Sequence, residues 1–269
     1  MKINGNTKII GFLGSTYKTS KMYALYNSEF ENLDLNFAYI PLIVENLEKA
    51  IIGIRNLGIH AVGVTIPYKE SVIPYLDGLD QNARTIGAVN TIVNKNGRLV
   101  GFNTDGKGAV MALKEKTSIA NKKIILLGAG GAAKAIAHEI IKEKGKLIVF
   151  NRHLEPILKL KKQLSILGYL LSELPNHIND ADIIINATSV GMFPKIEECL
   201  VTEDQLNSRM IVMDLITNPK ETTFISKGLK KGCKIIYGER MLLWQAVLKF
   251  ELFTGIKPPI KTMQEAFYA

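Results

Sequence analysis

The sequence predicts an α/β protein with two domains, in which parallel sheets are covered by helices. Two observations lead to this fold class. Short apolar runs with the character of strands alternate with helix-like segments over most of the 269 residues. One such set ends near residues 101–106 and a second begins at Lys122, so each half has the size of an ordinary domain.

The elements follow from apolar periodicity and from turn residues. The predicted strands are Lys8–Leu13, Phe37–Pro41, Ala61–Ile66, Thr91–Asn94, Lys123–Leu127, Lys146–Phe150, Asp182–Asn186, Met210–Leu215 and Lys234–Ile236. The predicted helices are Lys21–Glu31, Glu45–Leu57, Lys107–Lys116, Ala132–Lys144, Pro156–Leu167, Thr222–Lys231 and Met241–Thr254.

Composition excludes several classes of protein. With 47% hydrophobic and 22% charged residues, the chain can bury a sizeable core, which argues against disorder. No apolar run is long enough for a membrane span, and the first residues do not resemble a signal peptide, so we expect a soluble cytoplasmic protein. The net charge of +9 is mostly dispersed lysine, and we expect no nucleic-acid partner. Cys199 and Cys233 lack metal-site spacing, and we expect no metal.

The strongest single motif is a glycine-rich loop between a strand and a helix, in the run from Ile124 to Ala133. Gly128 permits a tight turn, and Gly130 lacks the Cβ that would block a pyrophosphate. Gly131, with Ala129 and Ala132, completes the loop where the helix N-terminus offers free N–H groups to phosphates. The alternative is a glycine-rich turn without a ligand. The placement favours a dinucleotide site.

The next predicted strand ends at Asn151-Arg152. Enzymes that use NAD usually carry an acidic residue here, which binds the ribose 2′-hydroxyl. A carboxylate would repel a 2′-phosphate, whereas the guanidinium of Arg152 can pair with it. We therefore predict NADP(H) as the cofactor. The alternative is that Arg152 is a solvated loop charge.

Three further segments are unusual, namely Val64–Lys69, Ile86–Thr91 and Gly101–Gly108. Each alone has a structural explanation: Lys69 as a surface residue, Asp105 as a helix N-cap, and Asn90 as a partner for strand-end backbone groups. Together with the glycine loop, and in this order, they resemble the shikimate/quinate dehydrogenase family. The matching motifs are Val64–Lys69, Gly87–Thr91, Asn103–Gly106, Gly128–Ala132, Asn151–Arg152, Asn186–Met192 and Gly238–Ala246.

The resemblance runs from about residue 8 to about residue 260 and implies a domain organisation. Residues 1–105 would form an open α/β substrate-binding and catalytic domain, joined by C-terminal helices in residues 239–269 that return to it. Residues 106–238 would form a Rossmann-like NADP-binding domain. The resemblance places the active site in the cleft between the two domains. It leaves monomer and homodimer open.

The resemblance also implies an activity, the reversible reduction of 3-dehydroshikimate to shikimate with NADPH, a step of chorismate and aromatic amino-acid biosynthesis. Lys69 and Asp105 match the family's acid–base pair. An ammonium suits this role because it stabilises the forming alkoxide and supplies a proton. The matching substrate-binding positions are Tyr17, Thr19, Thr65, Asn90 and Gln245. Near the nicotinamide the matches are Thr188, Gly238 and Met241.

The sequence departs from the family pattern where substrate is bound. Tyr17 and Thr19 stand at the positions of two serines that hold the substrate carboxylate, and Gly63 and Thr217 replace an Asn and a Tyr. A tyrosine hydroxyl lies farther from the backbone than a serine hydroxyl, so the pocket must differ. Two alternatives therefore stay open: a dehydrogenase for quinate or another ring hydroxy acid, and a non-catalytic NADP-binding paralogue.

Overall fold

The protein's structure, a computed structural model, describes residues 3–14, 20–65 and 67–269. The chain forms two compact units. The first comprises the residues up to Thr104 together with Gln245–Ala269, and the second comprises Asp105–Trp244. The functional domain boundaries that the sequence predicts, after residues 105 and 238, stay predictions.

The first unit contains a six-stranded sheet of mixed direction. Its strands are β1 (Lys8–Gly14), β2 (Phe37–Ile43), β3 (Ala61–Val64), β4 (Gly78–Leu79), β5 (Thr91–Lys95) and β6 (Arg98–Phe102), in the order β2-β1-β3-β5-β6-β4. β1 is parallel to β2 and β3, but β5 is antiparallel to both β3 and β6. The parallel pairing that the strand–helix alternation indicates therefore holds for only part of this sheet, because β5 runs in the opposite direction. Asn96 and Gly97 both adopt positive φ, which is the geometry of a tight hairpin turn between β5 and β6.

The second unit contains a six-stranded sheet that is parallel throughout. Its strands are β7 (Lys123–Leu127), β8 (Lys146–Asn151), β9 (Leu167–Leu170), β10 (Ile183–Asn186), β11 (Ile211–Asp214) and β12 (Lys234–Ile236), in the order β12-β11-β10-β7-β8-β9. Counted from β7, the order is 3-2-1-4-5-6, that of the Rossmann fold. The order reverses between β7 and β10, where such folds bind their ligands.

The described chain contains ten α-helices that cover these sheets. They are α1 (Lys21–Asn32), α2 (Leu47–Asn56), α3 (Tyr68–Ser71), α4 (Gln81–Ile86), α5 (Asp105–Lys114), α6 (Gly131–Lys142), α7 (Leu154–Gln163), α8 (Thr223–Lys230), α9 (Gly238–Thr254) and α10 (Ile260–Tyr268). α9 begins in the second unit and continues into the first. Within the first unit, Phe30 of α1 packs on Phe250 of α9 with ring centroids 5.3 Å apart. This contact secures the returning C-terminal helices, as the predicted fold class requires.

Most predicted element ends agree with the structure to within one to three residues, the usual uncertainty of helix and strand ends. The helix predicted at Pro156–Leu167 is wrong at its end, because α7 stops at Gln163 and Leu167 opens β9. Gly168 lies so close to α7 that a Cβ there would approach Ile157 Cγ2 to 2.4 Å, so the chain turns back beneath its own helix. Six short or terminal elements are not predicted by the apolar pattern, namely β4, β6, β9, α3, α4 and α10. No helix of the described chain is long and apolar enough to span a membrane.

Candidate active site

The glycine loop follows β7 and opens α6, as the motif predicts. Gly128 has φ +108°, a conformation that L residues rarely adopt, and a Cβ there would lie 3.1 Å from both the Ala187 carbonyl oxygen and Thr188 Cγ2. A Cβ added at Gly130 or Gly131 would meet no atom within 4 Å. These two glycines therefore leave open space at a helix N-terminus, which fits a dinucleotide pyrophosphate.

A cavity of about 530 Å³ lies in the second unit between the loops that follow β8 and β10. Its walls include the predicted cofactor residues Asn151, Arg152 and Thr188, together with His153. Arg152 and His153 are exposed, and Arg152 Nε lies 3.1 Å from His153 Nε2. The position of a basic pair at the end of the second Rossmann strand fits the adenosine end of NADP(H).

Ala129 and Ala133 are buried, whereas Ala132 is half-buried. Ala133 is 0% exposed, and its small side chain lets α6 approach the sheet closely. α5 also approaches α6, because a Cβ at Gly106 would lie 2.0 Å from the Ala135 carbonyl oxygen. Small residues therefore seat α6, whose N-terminus carries the loop.

A buried polar network holds Thr188. The Thr188 hydroxyl donates to Asn186 Oδ1 at 2.7 Å, and Asn186 Nδ2 donates to Asp214 Oδ1 at 3.1 Å. Asp214 also accepts from the Thr222 hydroxyl at 2.7 Å. Burial raises the pKa of the Asp214 carboxyl above its ordinary value, although these hydrogen bonds act to lower it. The network fixes the loop after β10, on which Thr188 lies.

Gly238 and Met241 lie at the start of α9. A Cβ at Gly238 would come within 2.6 Å of the Leu215 carbonyl oxygen, so the helix can begin here only with glycine. Met241 is 5% exposed and packs in the core of the second unit. Met241 therefore has a packing role in this core. Its position near the nicotinamide stays a prediction.

Three residues that sequence reasoning missed join the turn after α5 to α9. Glu115 accepts from Arg240 Nε at 2.7 Å and Nη2 at 2.6 Å, and from Trp244 Nε1 at 2.8 Å. No motif signals this cluster, because Glu115 and Arg240 are 125 residues apart in sequence. The cluster orients the start of α9, the helix that also carries Gln245.

In the first unit, hydrogen bonds join the three unusual segments of the sequence. Asn90 Nδ2 donates to the Thr104 hydroxyl at 2.9 Å, and Asn103 Nδ2 donates to the Ala88 carbonyl at 3.0 Å. The Val64 backbone N–H donates to the Asn90 carbonyl at 2.9 Å. All three motifs therefore meet around Asn90, which is 1% exposed.

Lys69 is half-buried in the short helix α3, a helix that the apolar periodicity does not predict. The Tyr68 N–H donates to the Thr65 carbonyl at 2.9 Å and the Tyr68 hydroxyl to the Val44 carbonyl at 2.9 Å, so the chain turns into a helix after Pro67. The Lys69 carbonyl accepts from Val89 N–H at 2.7 Å. This bond ties the Lys69 segment to the neighbour of Asn90.

Asp105 is the first residue of α5 and is 4% exposed. It follows Thr104 directly, and Thr104 N–H donates to Asn90 Oδ1 at 3.1 Å. A carboxylate in the first helical turn is favoured by the positive end of the helix dipole. Thus Asp105 has the helix-terminal place that its motif indicates, and its burial distinguishes it from an exposed N-cap.

The remaining predicted substrate residues are only partly described. Thr65 and Gln245 are half-buried in the first unit. Beside Thr65, the Tyr39 hydroxyl lies 3.2 Å from where a Cβ of Gly63 would stand, so Tyr39 occupies space that a side chain at position 63 needs. Burial raises the pKa of Tyr39 well above its usual range, which keeps it a neutral hydroxyl. Tyr17 and Thr19 lie outside the described residues.

Comparison with known protein families places the whole chain. Residues 12–92 match a family model described as shikimate dehydrogenase substrate binding domain. Residues 110–227 match one described as shikimate / quinate 5-dehydrogenase, and residues 238–266 match the shikimate 5'-dehydrogenase C-terminal domain.

Individual relatives match this chain over nearly their full length. The chain is 40% identical to the shikimate dehydrogenase (NADP(+)) of Carboxydothermus hydrogenoformans, covering 99% of this chain and 98% of that protein. It is 41% identical to the protein of the same name from Pyrococcus furiosus, covering 99% and 97%. A crystal structure of a shikimate dehydrogenase in complex with NADP+ has a TM-score of 0.91 at 39% identity, covering 99% and 96%. The resemblance drawn from the motifs is thus confirmed, and the chain belongs to the shikimate dehydrogenase family.

Proposed function

We propose that this protein is an NADP-dependent shikimate dehydrogenase, which reversibly reduces the ketone of 3-dehydroshikimate to the hydroxyl of shikimate. The observation that carries this proposal is the junction around Asn90, where the three substrate-side motifs are joined by hydrogen bonds. The relatives that match over the full length are shikimate dehydrogenases named for NADP(+), which supports the same reaction.

The cofactor supplies the hydride when it is bound. Gly128, Gly130 and Gly131 leave room for its pyrophosphate, and the N-terminus of α6 offers N–H groups there. Asn151 and Arg152 would hold the adenosine end, while Thr188, Gly238 and Met241 would border the nicotinamide. Ala129 and Ala132 complete the loop.

The proton chemistry falls to Lys69 and Asp105. In the reduction, Lys69 Nζ places positive charge where the alkoxide forms and donates the proton to that oxygen. Asp105 is the proposed carboxylate partner that orients the ammonium and shares its proton. In the oxidation of shikimate the same pair accepts the hydroxyl proton, by microscopic reversibility.

The substrate-binding residues would be Tyr17, Thr19, Thr65, Asn90 and Gln245. Asn90 already accepts from Thr91 and Thr104, so its side-chain orientation is fixed before a substrate arrives. Such preorganisation lowers the entropic cost of binding. We further propose that the enzyme acts in the cytoplasm as a monomer or homodimer; light scattering distinguishes the two states.

The experiment is an initial-rate assay of the purified protein with shikimate and NADP+, following NADPH absorbance and identifying 3-dehydroshikimate by mass. We expect turnover with shikimate, and quinate is assayed in parallel. Turnover with quinate alone would assign the protein to the quinate branch of the family. Binding of NADP+ without turnover on either acid would identify a non-catalytic paralogue and contradict the proposal.

A further inference from the structure

A tyrosine hydroxyl adjoins Gly63, one of the positions where the sequence departs from the family pattern. A Cβ at position 63 would stand 3.2 Å from the Tyr39 hydroxyl oxygen, and the next nearest atom, Phe12 Cδ2, would be 3.5 Å away. The glycine therefore admits the hydroxyl to a place on the sheet where a larger residue would crowd it.

The register of the strands places this hydroxyl on the same face of the sheet as the Asn90 junction. Tyr39 and Phe12 lie on one face, because Tyr39 pairs with the residue two before Phe12. Phe12 pairs with Gly63 of β3, and Gly63 pairs with Thr91 of β5. The Thr91 hydroxyl donates to Asn90 Oδ1 at 2.9 Å. Since neighbouring strands lie about 4.8 Å apart, a small ligand on this face can contact both the Tyr39 hydroxyl and Asn90.

The Tyr39 hydroxyl has no hydrogen-bond partner among the residues that the structure describes, although Tyr39 is only 3% exposed. Tyr26 differs, because its hydroxyl donates to the Ala246 carbonyl at 3.3 Å; its ring centroid lies 4.6 Å from that of Tyr39. A buried hydroxyl that makes no hydrogen bond costs free energy of folding. The partner of the Tyr39 hydroxyl is therefore to be sought in a bound ligand.

The surroundings of Tyr39 hold its hydroxyl in place. The Tyr39 N–H donates to Asn27 Oδ1 at 2.8 Å, and Asn27 Nδ2 donates to the Tyr39 carbonyl at 3.0 Å. The Tyr39 ring also packs on Tyr23 and Phe253, with ring centroids 5.7 and 6.4 Å away. Because burial keeps the pKa of Tyr39 well above its usual range, the group is a neutral phenol. It is thus a fixed hydroxyl that can donate a hydrogen bond.

We propose that Tyr39 is a specificity-determining residue, whose hydroxyl forms a hydrogen bond with a non-reacting ring hydroxyl of the bound substrate. The ring would lie against this face of the sheet beside Asn90 and supply the partner that Tyr39 lacks within the described chain. We assign a ring hydroxyl because the substrate carboxylate is matched to the positions of Tyr17 and Thr19. The inference rests on the proposed dehydrogenase function.

The first test is Tyr39→Phe, which removes only the hydroxyl. Initial rates of the full chain are measured with shikimate at saturating NADP+. KM for shikimate should rise about tenfold, the upper scale of one neutral hydrogen bond. The value of kcat should stay within about threefold of the parent, because the lost bond is made equally in the ground state and the transition state. KM for NADP+ should not change, since the glycine loop belongs to the other unit.

Stability separates this role from a structural one. Removing a hydroxyl without a partner relieves its desolvation, so the urea midpoint of Tyr39→Phe should equal or exceed that of the parent. Tyr26→Phe is the matched control. It loses the hydrogen bond to the Ala246 carbonyl, so its midpoint should fall, while KM for shikimate should change less than about twofold. A structural role of Tyr39 would instead lower the midpoint and leave KM near the parent value.

Two further comparisons locate the contact. Gly63→Ala places a Cβ against the Tyr39 hydroxyl, so it should raise KM for shikimate in the parent but change it little in Tyr39→Phe, where that oxygen is gone. Shikimate analogues that each lack one non-reacting hydroxyl provide the second comparison. For one of them Tyr39→Phe should change KM less than about twofold, because the partner of the Tyr39 hydroxyl is already missing.

A Tyr39→Phe variant with the parent KM for shikimate would overturn the inference, and it would leave the proposed function intact as long as the parent turns shikimate over. An equal effect of Gly63→Ala in both backgrounds, or of Tyr39→Phe on every analogue, would also overturn it. An unmodified protein without turnover on shikimate would contradict the proposed function, and the inference with it. The two failures are thus distinguishable.

Discussion

The two units of the molecule differ in how their functional residues are assembled. In the second unit each parallel strand delivers a loop to the same edge of the sheet, so Gly128, Arg152 and Thr188 all lie at strand ends. In the first unit the sheet is mixed, and its functional segments are joined by side-chain hydrogen bonds around Asn90. In the parallel unit, strands and helices alternate along the chain, so the sequence spacing of the apolar runs predicts the fold. In the mixed unit, that spacing does not show which strands pair or in which direction.

The departures from the family pattern are mostly at positions that match substrate-binding residues. The glycine loop matches fully, whereas Tyr17, Thr19 and Gly63 depart in the first unit and Thr217 departs in the second. At Gly63 the Tyr39 hydroxyl occupies the adjoining space, so the change at one strand is matched by a side chain from another. We infer that cofactor recognition is retained and that ring recognition has diverged.

The largest effect is expected at the acid–base pair. Lys69→Ala should lower kcat at least about 10²-fold, because a general acid contributes about 10²- to 10⁴-fold. Asp105→Asn should show a similar or smaller loss, and the double variant should be little worse than Lys69→Ala because the two act as a unit. Steady-state kinetics of the three variants gives these values.

Binding of NADPH, followed by fluorescence titration, is the control for these variants. It should be unchanged in Lys69→Ala, because the glycine loop belongs to the other unit. A Lys69→Ala enzyme within about threefold of the parent rate would remove Lys69 from the mechanism, given the usual size of acid catalysis.

The second effect concerns the cofactor unit alone. Arg152→Ala should weaken the binding of NADP+ by about 1.5 to 3 kcal/mol, the scale of a charge-assisted hydrogen bond. It should change NAD+ binding little, because NAD+ lacks the 2′-phosphate that Arg152 is proposed to bind. The measurement is kcat/KM for each cofactor in parent and variant. Equal losses with both cofactors would mean that Arg152 supports the loop and not the phosphate.

Two glycines of the cofactor unit provide a matched pair. Gly130→Ala adds a Cβ in open space, so stability should change by less than about 0.5 kcal/mol while NADP+ affinity falls at least about tenfold. Gly106→Ala adds a Cβ 2.0 Å from the Ala135 carbonyl and should cost about 1 to 3 kcal/mol of unfolding free energy or more. Urea unfolding measures the stability of each variant, and cofactor titration measures its affinity for NADP+. If Gly130→Ala bound NADP+ normally, the loop would not be the pyrophosphate site.

The smallest effect is expected in the diverged substrate loop. If Tyr17 donates to the substrate carboxylate, Tyr17→Phe should raise KM for shikimate about tenfold, roughly 1.4 kcal/mol, with the hydride step less affected. KM and kcat are read from the same progress curves. An unchanged KM would shift the role to Ser15, Lys18 or Thr19.

The cofactor loop is predictable because strand, glycine turn and helix follow one another directly in the chain. The sequence predicted this loop and five of the six strands of the second sheet, all but β9. It missed β6, although Asn96-Gly97 between two apolar runs is a hairpin signal that could have revealed it. It also missed α3, on which Lys69 lies, since a helix of four residues is too short to show an apolar periodicity. Glu115 could not be found, because its partners Arg240 and Trp244 are 125 and 129 residues away in sequence and are brought to it only by folding.

The most direct test of the division between units is one matrix of initial rates, with shikimate and quinate each combined with NADP+ and NAD+. We predict that kcat/KM is highest with shikimate and NADP+. The ratio of kcat/KM with NADP+ to kcat/KM with NAD+ should be the same for both ring acids, because the proposed cofactor-binding and ring-binding residues lie in different units. Equal rates with NADP+ and NAD+, or a cofactor ratio that changes with the ring acid, would contradict this account.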